Sequence, residues 1–202
     1  MWTAEEFPRH SCIGNLSLSF YPRRQLLQKA RVGDLFIGHL VHEAVVIHDP
    51  FDLLLELRNA YRVSPNLRTE IVNAADLGYM ILDHSSQFDD VILNRRIAWV
   101  VRTILIARAI ESGQHVYAAG QLATMFNEPD ALTLIVAKDE KNIQEDRLKS
   151  FRRLLLKWSE KNRPFGWYPL SYYEALFLST GNIFGSKTLK LAHELDDWTM
   201  YS

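Results

Sequence analysis

The chain has a single cysteine, Cys12, in 202 residues, which excludes an internal disulfide. Its neighbours Ser11, Ile13 and Gly14 supply no base that would activate a thiol, so Cys12 reads as a bystander. Long apolar runs are also missing. The most apolar stretch, 97–110, is interrupted by Arg102 and Arg108, whereas a bilayer-spanning helix needs about 20 apolar residues. The opening MWTAEEFPRH lacks the basic start and apolar run of a signal peptide. These absences predict a soluble, cytoplasmic protein with no membrane partner. No charge of one sign dominates either: the formal net charge of -1 gives no global attraction to nucleic acid or acidic lipid. Finally, there is no Walker loop, Gly-x-Gly-x-x-Gly, Gly-x-Ser-x-Gly or Cys-x-x-Cys.

The residues present are those of a globular protein. Hydrophobic residues make up 48% of the chain and charged residues 23%, and five Trp, eight Tyr and ten Phe can fill a core. Residues 16–21, LSLSFY, alternate strictly between Leu16, Leu18, Phe20 and Ser17, Ser19, Tyr21, which predicts a half-buried strand. Pro22 can open a helix that Gly33 closes. Asp34 can cap a second helix, LFIGHLVHEA, ahead of a β-branched run, VVI, at 45–47. Asp49-Pro50 stops that run, and Asp52 can cap a helix through Tyr61. The segment VSPN at 63–66 is the best boundary, because Pro65 disfavours helix before it and Asn66 can cap the next helix.

Beyond 66 the pattern is helical. Helices are predicted over about 67–83, 88–112, 116–126, 142–161, 170–179 and 186–198, with a stop at Glu128-Pro129-Asp130. The second of these is apolar nearly all round, which marks a buried central helix. The expected fold is mainly α (α+β): an α/β piece over 1–63, then an antiparallel helical bundle over 64–202.

Several constellations could carry chemistry. His39, His42 and His48 lie within ten residues, but His-x-x-His without a clear further ligand reads as packed and solvated histidines, and no metal site is expected. Arg95 and Arg102 fall on one stripe of the buried helix and need a carboxylate or an anion. Asp76, Asp83, Asp89 or Asp90 could pair them; otherwise the two arginines form an anion- or nucleotide-binding site. Arg108 and His115 have an Arg-x6-His spacing similar to that of helical-bundle (HEPN-like) ribonucleases, where such a pair acts on the ribose 2'-hydroxyl and the scissile phosphate. The polar residue usual just after that arginine is Ala109 here. The basic run from Lys138 to Arg163, with Arg147, Lys149, Arg152, Arg153 and Lys157, reads as a solvated helix face. The aromatic stretch 165–177 reads as core and a loop clamp.

Taken as a set, strand 16–21, the helix after it and GDLFIGHLVHEAVVIHD resemble the latter half of small bacterial nucleotidyltransferase domains of the polymerase-beta superfamily. The matching residues are Gly33, Leu35, Phe36, His39, Leu40, Glu43, Val46 and Asp49, with Ala44 where that family usually has Gly. The resemblance covers 14–62 and, loosely, the helices of 66–126. It implies a Gly-Ser turn and an Asp-x-Asp pair ahead of the strand and a third carboxylate upon it, together holding two Mg2+ ions. Neither motif precedes residue 16, and the third position holds Ser17. Mg2+ is therefore expected only if a partner supplies the carboxylates, and otherwise no cofactor. The implied role is a non-catalytic nucleotidyltransferase-like interaction or regulatory protein. It could be one half of a split enzyme or of a toxin–antitoxin-type pair, with a protein partner or a second copy completing the exposed edges of LSLSFY. The Arg108–His115 ribonuclease, with RNA as substrate, is the alternative.

Overall fold

The computed structural model describes residues 2–3, 8–14, 16–160 and 166–199, with side chains over 8–14, 16–160 and 166–192. The chain is mainly α with a small β component, and it divides into two compact units, Met1–Pro65 and Asn66–Ser202. No helix among the described residues is long and apolar enough to cross a membrane.

Unit 1 is built on β3 (Leu16–Pro22), paired antiparallel with β2 (Arg9–Ile13) and parallel with β1 (Trp2–Thr3), in the order β1-β3-β2. The strand read from LSLSFY is therefore central, with a neighbour on each of the edges expected to be exposed. Three helices come next: α1 (Arg23–Val32), α2 (Leu35–Glu43) and α3 (Leu53–Ala60). Leu26, Ala30, Ile37, Val41, Leu53 and Leu57 form the buried core of the unit, flanked by Tyr21, Leu27, Leu40, Ala60 and Tyr61. The run 45–47, expected as a strand, is irregular instead. Among the described residues β2 pairs along 16–20 of β3 and β1 at Tyr21 and Pro22, and the run 45–47 joins neither edge.

The turn between α1 and α2 is the tightest point of unit 1. Gly33 has a left-handed φ of 76°, and its N–H donates to the Ala30 carbonyl. A Cβ there would lie 2.3 Å from the Ser64 backbone nitrogen and 2.6 Å from the Arg62 carbonyl oxygen. Asp34 then caps α2, accepting from Phe36 N–H at 2.9 Å and Ile37 N–H at 3.3 Å, while Lys29 Nζ donates to its other oxygen at 2.8 Å.

Unit 2 packs α4 (Leu67–Asp83) against α5 (Asp90–Glu111), with α6 (Ala119–Met125), α7 (Pro129–Val136), α8 (Glu145–Trp158), α9 (Leu170–Thr180) and α10 (Ile183–Thr199) around them. As its sequence predicts, α5 is buried through most of its length; Ile97, Val100, Val101, Ile104 and Leu105 are inaccessible. Each such side chain contributes about 1.5–3 kcal/mol of hydrophobic stabilisation. Glu128-Pro129-Asp130 stops one helix as expected but also starts α7, with Pro129 in its first turn, where a missing N–H costs nothing.

Charge within unit 2 is organised by the buried Glu128. Its carboxylate accepts from Lys157 Nζ, from Trp158 Nε1 at 3.1 Å and from Arg153 at 3.1 Å, tying the start of α7 to α8. Burial pushes the Glu128 carboxyl up, but the three donors outweigh it and hold the group below its ordinary value.

Gly33→Ala forces a Cβ into backbone atoms, so it should cost unit 1 at least about 2 kcal/mol in urea unfolding followed by circular dichroism. Because folded Glu128 takes up its proton less readily than the unfolded residue, its contribution is complete above the usual glutamate range. It should be lost as pH falls through the lowered value. Glu128→Gln should lower stability at neutral pH by about 2 kcal/mol and flatten that acid limb in pH-dependent thermal melts.

Candidate functional site

Unit 1 contains a cleft of about 460 Å³ between the face of β3 and the segment 44–49. Strand alternation brings Ser17, Ser19 and Tyr21 onto one face, and these three line the cleft. The opposite wall is Phe36 and Leu40 of α2, then Ala44, Val45, Val46, Ile47, His48 and Asp49, with Leu53, Leu54 and Leu57 of α3 below. Tyr21 packs on Phe36 with ring centroids 5.2 Å apart.

This arrangement reverses the face that a half-buried strand is expected to bury. The hydroxyl-bearing face of β3 points toward the helices, and Leu16, Leu18 and Phe20 face the other way. Leu16 is 56% exposed and its cross-strand neighbour Ile13 is 65% exposed, while the Arg9 guanidinium lies 4.7 Å from the Phe20 ring centre. Tyr21 is the reason. It is the one residue of the polar set large enough to reach the core of α1, α2 and α3, and it lies last in the alternating run, where the chain turns into α1.

The residues of the nucleotidyltransferase-like pattern act locally as supports. His39 Nε2 meets Glu43 at 3.0 Å along α2, and His42 Nδ1 donates to the Gly38 carbonyl at 2.8 Å. Asp49 is the only acid among the residues lining the cleft, and it is engaged. Its two oxygens accept the Leu53 and Leu54 N–H groups at 2.9 Å each, which holds its carboxyl below the usual range. No group of three or more metal-ligating side chains occurs among the described residues.

Sequence reasoning also missed a cluster beside the cleft. His10 and Cys12 lie two apart on β2 and so share a face, and the ladder sets them opposite Ser19 and Ser17. His10 Nε2 is 3.3 Å from Cys12 Sγ and 3.5 Å from Ser17 Oγ, while Nδ1 is 3.2 Å from Ser19 Oγ. A base for Cys12, absent from its immediate neighbours, is supplied from residue i-2. The period-two spacing His-x-Cys was the available signal, but it becomes legible only once residues 9–13 are known to be a strand.

In unit 2 both arginines of the stripe lie on α5. Arg95 pairs with Asp139 at 3.0 Å rather than with any of the four expected acids. Three of those acids serve other partners: Asp89 caps α5, Asp90 accepts the Ile143 N–H at 3.1 Å, and Asp83 accepts from Tyr173 OH at 2.6 Å and Tyr168 N–H at 3.2 Å. Arg102 is half-buried, with no hydrogen bond or ion pair to a described side chain. Arg96, not singled out from the sequence, carries the more unusual environment. Burial, and then neighbouring Arg95, pull its guanidinium below the ordinary value, and it sits 4.7 Å from the ring centre of Phe184, which stacks on Trp99 at 4.0 Å.

Arg108 is a brace. Its side chain is 12% exposed, it donates twice to the Trp158 carbonyl at 3.1 and 3.0 Å, and it pairs with Glu111 at 2.7 Å and Glu160 at 2.9 Å. His115 Nδ1 lies 3.4 Å from Tyr117 OH. The donors of Arg108 run to the end of α8 and to Glu111, and His115 neighbours the Tyr117 hydroxyl. The basic run, expected as a solvated face, is in part ion-paired: Arg147, only 10% exposed, pairs with Glu140, while the more exposed Lys149 and Arg153 pair with Glu145 and Asp130. The aromatic clamp also forms. Trp167 Nε1 donates to the Asp83 carbonyl at 3.0 Å, and His84 packs against both Trp167 and Tyr173; Phe165 lies outside the described residues.

Comparison with protein-family models, curated proteins and solved structures finds no match for this chain. Removing the brace by Arg108→Met should leave a part-buried carbonyl and two acids without their donor. The expected cost is about 2 kcal/mol in chemical unfolding, against near-neutral behaviour for Arg95→Met at the exposed Asp139 pair.

Proposed function

We propose that this protein is a non-catalytic, nucleotidyltransferase-like interaction module whose unit 1 receives an extended apolar segment of a partner protein. The observation that carries the reading is the state of residues 45–47. Val45 is 87% and Ile47 97% exposed, and no backbone hydrogen bond is made by these residues among the described ones. Apolar side chains beside unpaired backbone donors and acceptors are what strand addition uses: the main chain supplies affinity and alternate side chains supply specificity. The run borders the cleft, where Ser17 and Ser19 offer hydroxyls in place of metal-binding carboxylates.

The partner is a protein rather than a nucleic acid. The wall of the cleft is largely aliphatic and aromatic, and no Lys or Arg lines it. A second copy of the chain, or a chain bearing the Gly-Ser turn and Asp-x-Asp pair of a split enzyme, would each be a specific form of this partner.

Native mass spectrometry of the chain purified from its own host should show a discrete protein complex. A Val45→Asp, Ile47→Asp double variant should dissociate it while leaving the melting temperature unchanged, since both side chains are already in water. A monomer with no complex, or a complex indifferent to the double variant, would defeat the proposal. Mg2+-dependent nucleotide transfer by the purified chain alone would overturn its non-catalytic part.

A further inference from the structure

We propose that Cys12, with His10 as its proton acceptor and Ser19 as the residue that positions His10, is a site of mixed-disulfide formation with low-molecular-weight disulfides. The inference is independent of the interaction role above, because it rests on the β2–β3 ladder and not on residues 45–47.

The ladder builds the site. Antiparallel pairing of His10 with Ser19 and of Cys12 with Ser17 puts all four side chains on one face, and the two-residue spacing along β2 brings the imidazole against the sulfur. Nδ1 lies 3.2 Å from Ser19 Oγ and Nε2 3.3 Å from Cys12 Sγ. The tautomer that donates Nδ1–H to the Ser19 hydroxyl turns the Nε2 lone pair toward the thiol, and that is the tautomer the proposal uses. This is the nucleophile–base–orienter arrangement, with the base held from its far side. Ser17 Oγ, 3.5 Å from the same nitrogen, adds a polar neighbour without displacing the thiol. Cys12 is exposed, so a disulfide can approach the sulfur in line.

Two other chemistries fit less well. A metal would need at least one more ligand beside His10 and Cys12, and none joins them among the described residues. Acyl transfer needs N–H donors aimed at a developing oxyanion, whereas the N–H groups of this antiparallel ladder lie in the plane of the sheet, in pairing with the neighbouring strand. Thiol–disulfide exchange requires neither.

The step balances. As the Cys12 sulfur attacks one sulfur of R–S–S–R, its proton passes to His10 Nε2, the old S–S bond breaks, and Cys12–S–S–R forms. The departing R–S⁻ then takes the proton from the imidazolium and leaves as R–SH. The disulfide is the only oxidant needed. The group R is installed on the sheet face that Cys12 shares with Ser17 and Ser19.

Because the chain has one cysteine, the stoichiometry is unambiguous. The probe is dithiodipyridine, followed by released thiopyridone, with oxidised glutathione and intact-mass analysis as the second readout. One adduct per chain should form, and the native chain should react about tenfold faster than the same chain unfolded in urea with the same probe. His10→Ala should fall to the unfolded rate and be rescued by added imidazole, to which the wild type does not respond. Ser19→Ala should slow the reaction about threefold and Ser19→Thr should restore it, since the hydroxyl and not the packing is what orients Nδ1. His10 and Ser19 lie on an accessible sheet face, and circular dichroism checks that the variants fold. A native rate no greater than the unfolded rate would overturn the proposal without any variant. So would a His10→Ala chain that reacts as fast as wild type, or imidazole acceleration that is equal in both.

Discussion

The register between β2 and β3 is the constraint on which the functional surface of unit 1 depends. Side chains alternate with a period of two, so sliding β2 by one residue would carry His10 and Cys12 to the other face and bring Arg9, Ser11 and Ile13 to the cleft side. With the observed register, one face holds His10, Cys12, Ser17, Ser19 and Tyr21, and the other holds Ile13, Leu16, Leu18 and Phe20. Tyr21 decides which face meets the helices. Its ring joins the core of α1, α2 and α3 while the serines preceding it stay at the cleft. The thiol cluster and the cleft are two consequences of one pairing.

Unit 2 obeys a different logic, in which a continuous apolar helix is surrounded by elements fastened through a few buried polar groups. Asn94, almost wholly buried on α5, donates to the Glu140 carbonyl at 2.9 Å and accepts from Arg147 at 3.0 Å, fixing the turn that leads into α8. Glu128 does the same for the start of α7, Asp83 for the aromatic segment before α9, and Arg108 for the end of α8. Each is a charged or amide group satisfied by several partners, the condition under which burial of such a group is tolerated. Of the acids that the sequence offered to Arg95 and Arg102, Asp89 is held by the unpaired N–H groups at the start of α5, Asp83 by Tyr173 OH and the Tyr168 N–H, and Asp90 by the Ile143 N–H.

Much of the helical architecture was legible in the sequence. The bounds of α4 are as predicted, α5 lies within its predicted span, and α8 lies inside 142–161. The polar and apolar residues of these helices recur at a spacing that no other local structure satisfies. The missed elements are those whose local signal is weak. β2 reads RHSCI, wholly exposed and without alternation of polarity, so only its partner strand makes it a strand. The VVI run erred the other way, because β-branched residues favour a strand but form one only where the fold brings them against a partner strand. α7 was hidden by reading Pro129 as a stop when it also opens a first turn.

For the site, the sequence by itself determined the inventory: one thiol, an alternating strand with Ser17 and Ser19 on its polar face, a capped helix after Gly33 and Asp34, and an arginine-bearing apolar helix. Those arise from residue identity and short-range spacing, which tertiary context does not alter. Only the tertiary structure decided which of these groups meet. It placed His10 against Cys12, gave Arg95 to Asp139, engaged Arg108 at the Trp158 carbonyl and left 45–47 outside the sheet. Such pairings depend on strand register and helix packing across long sequence separations. Many residues of the right type could have satisfied the same local rules, so the contacts were settled by geometry rather than by composition.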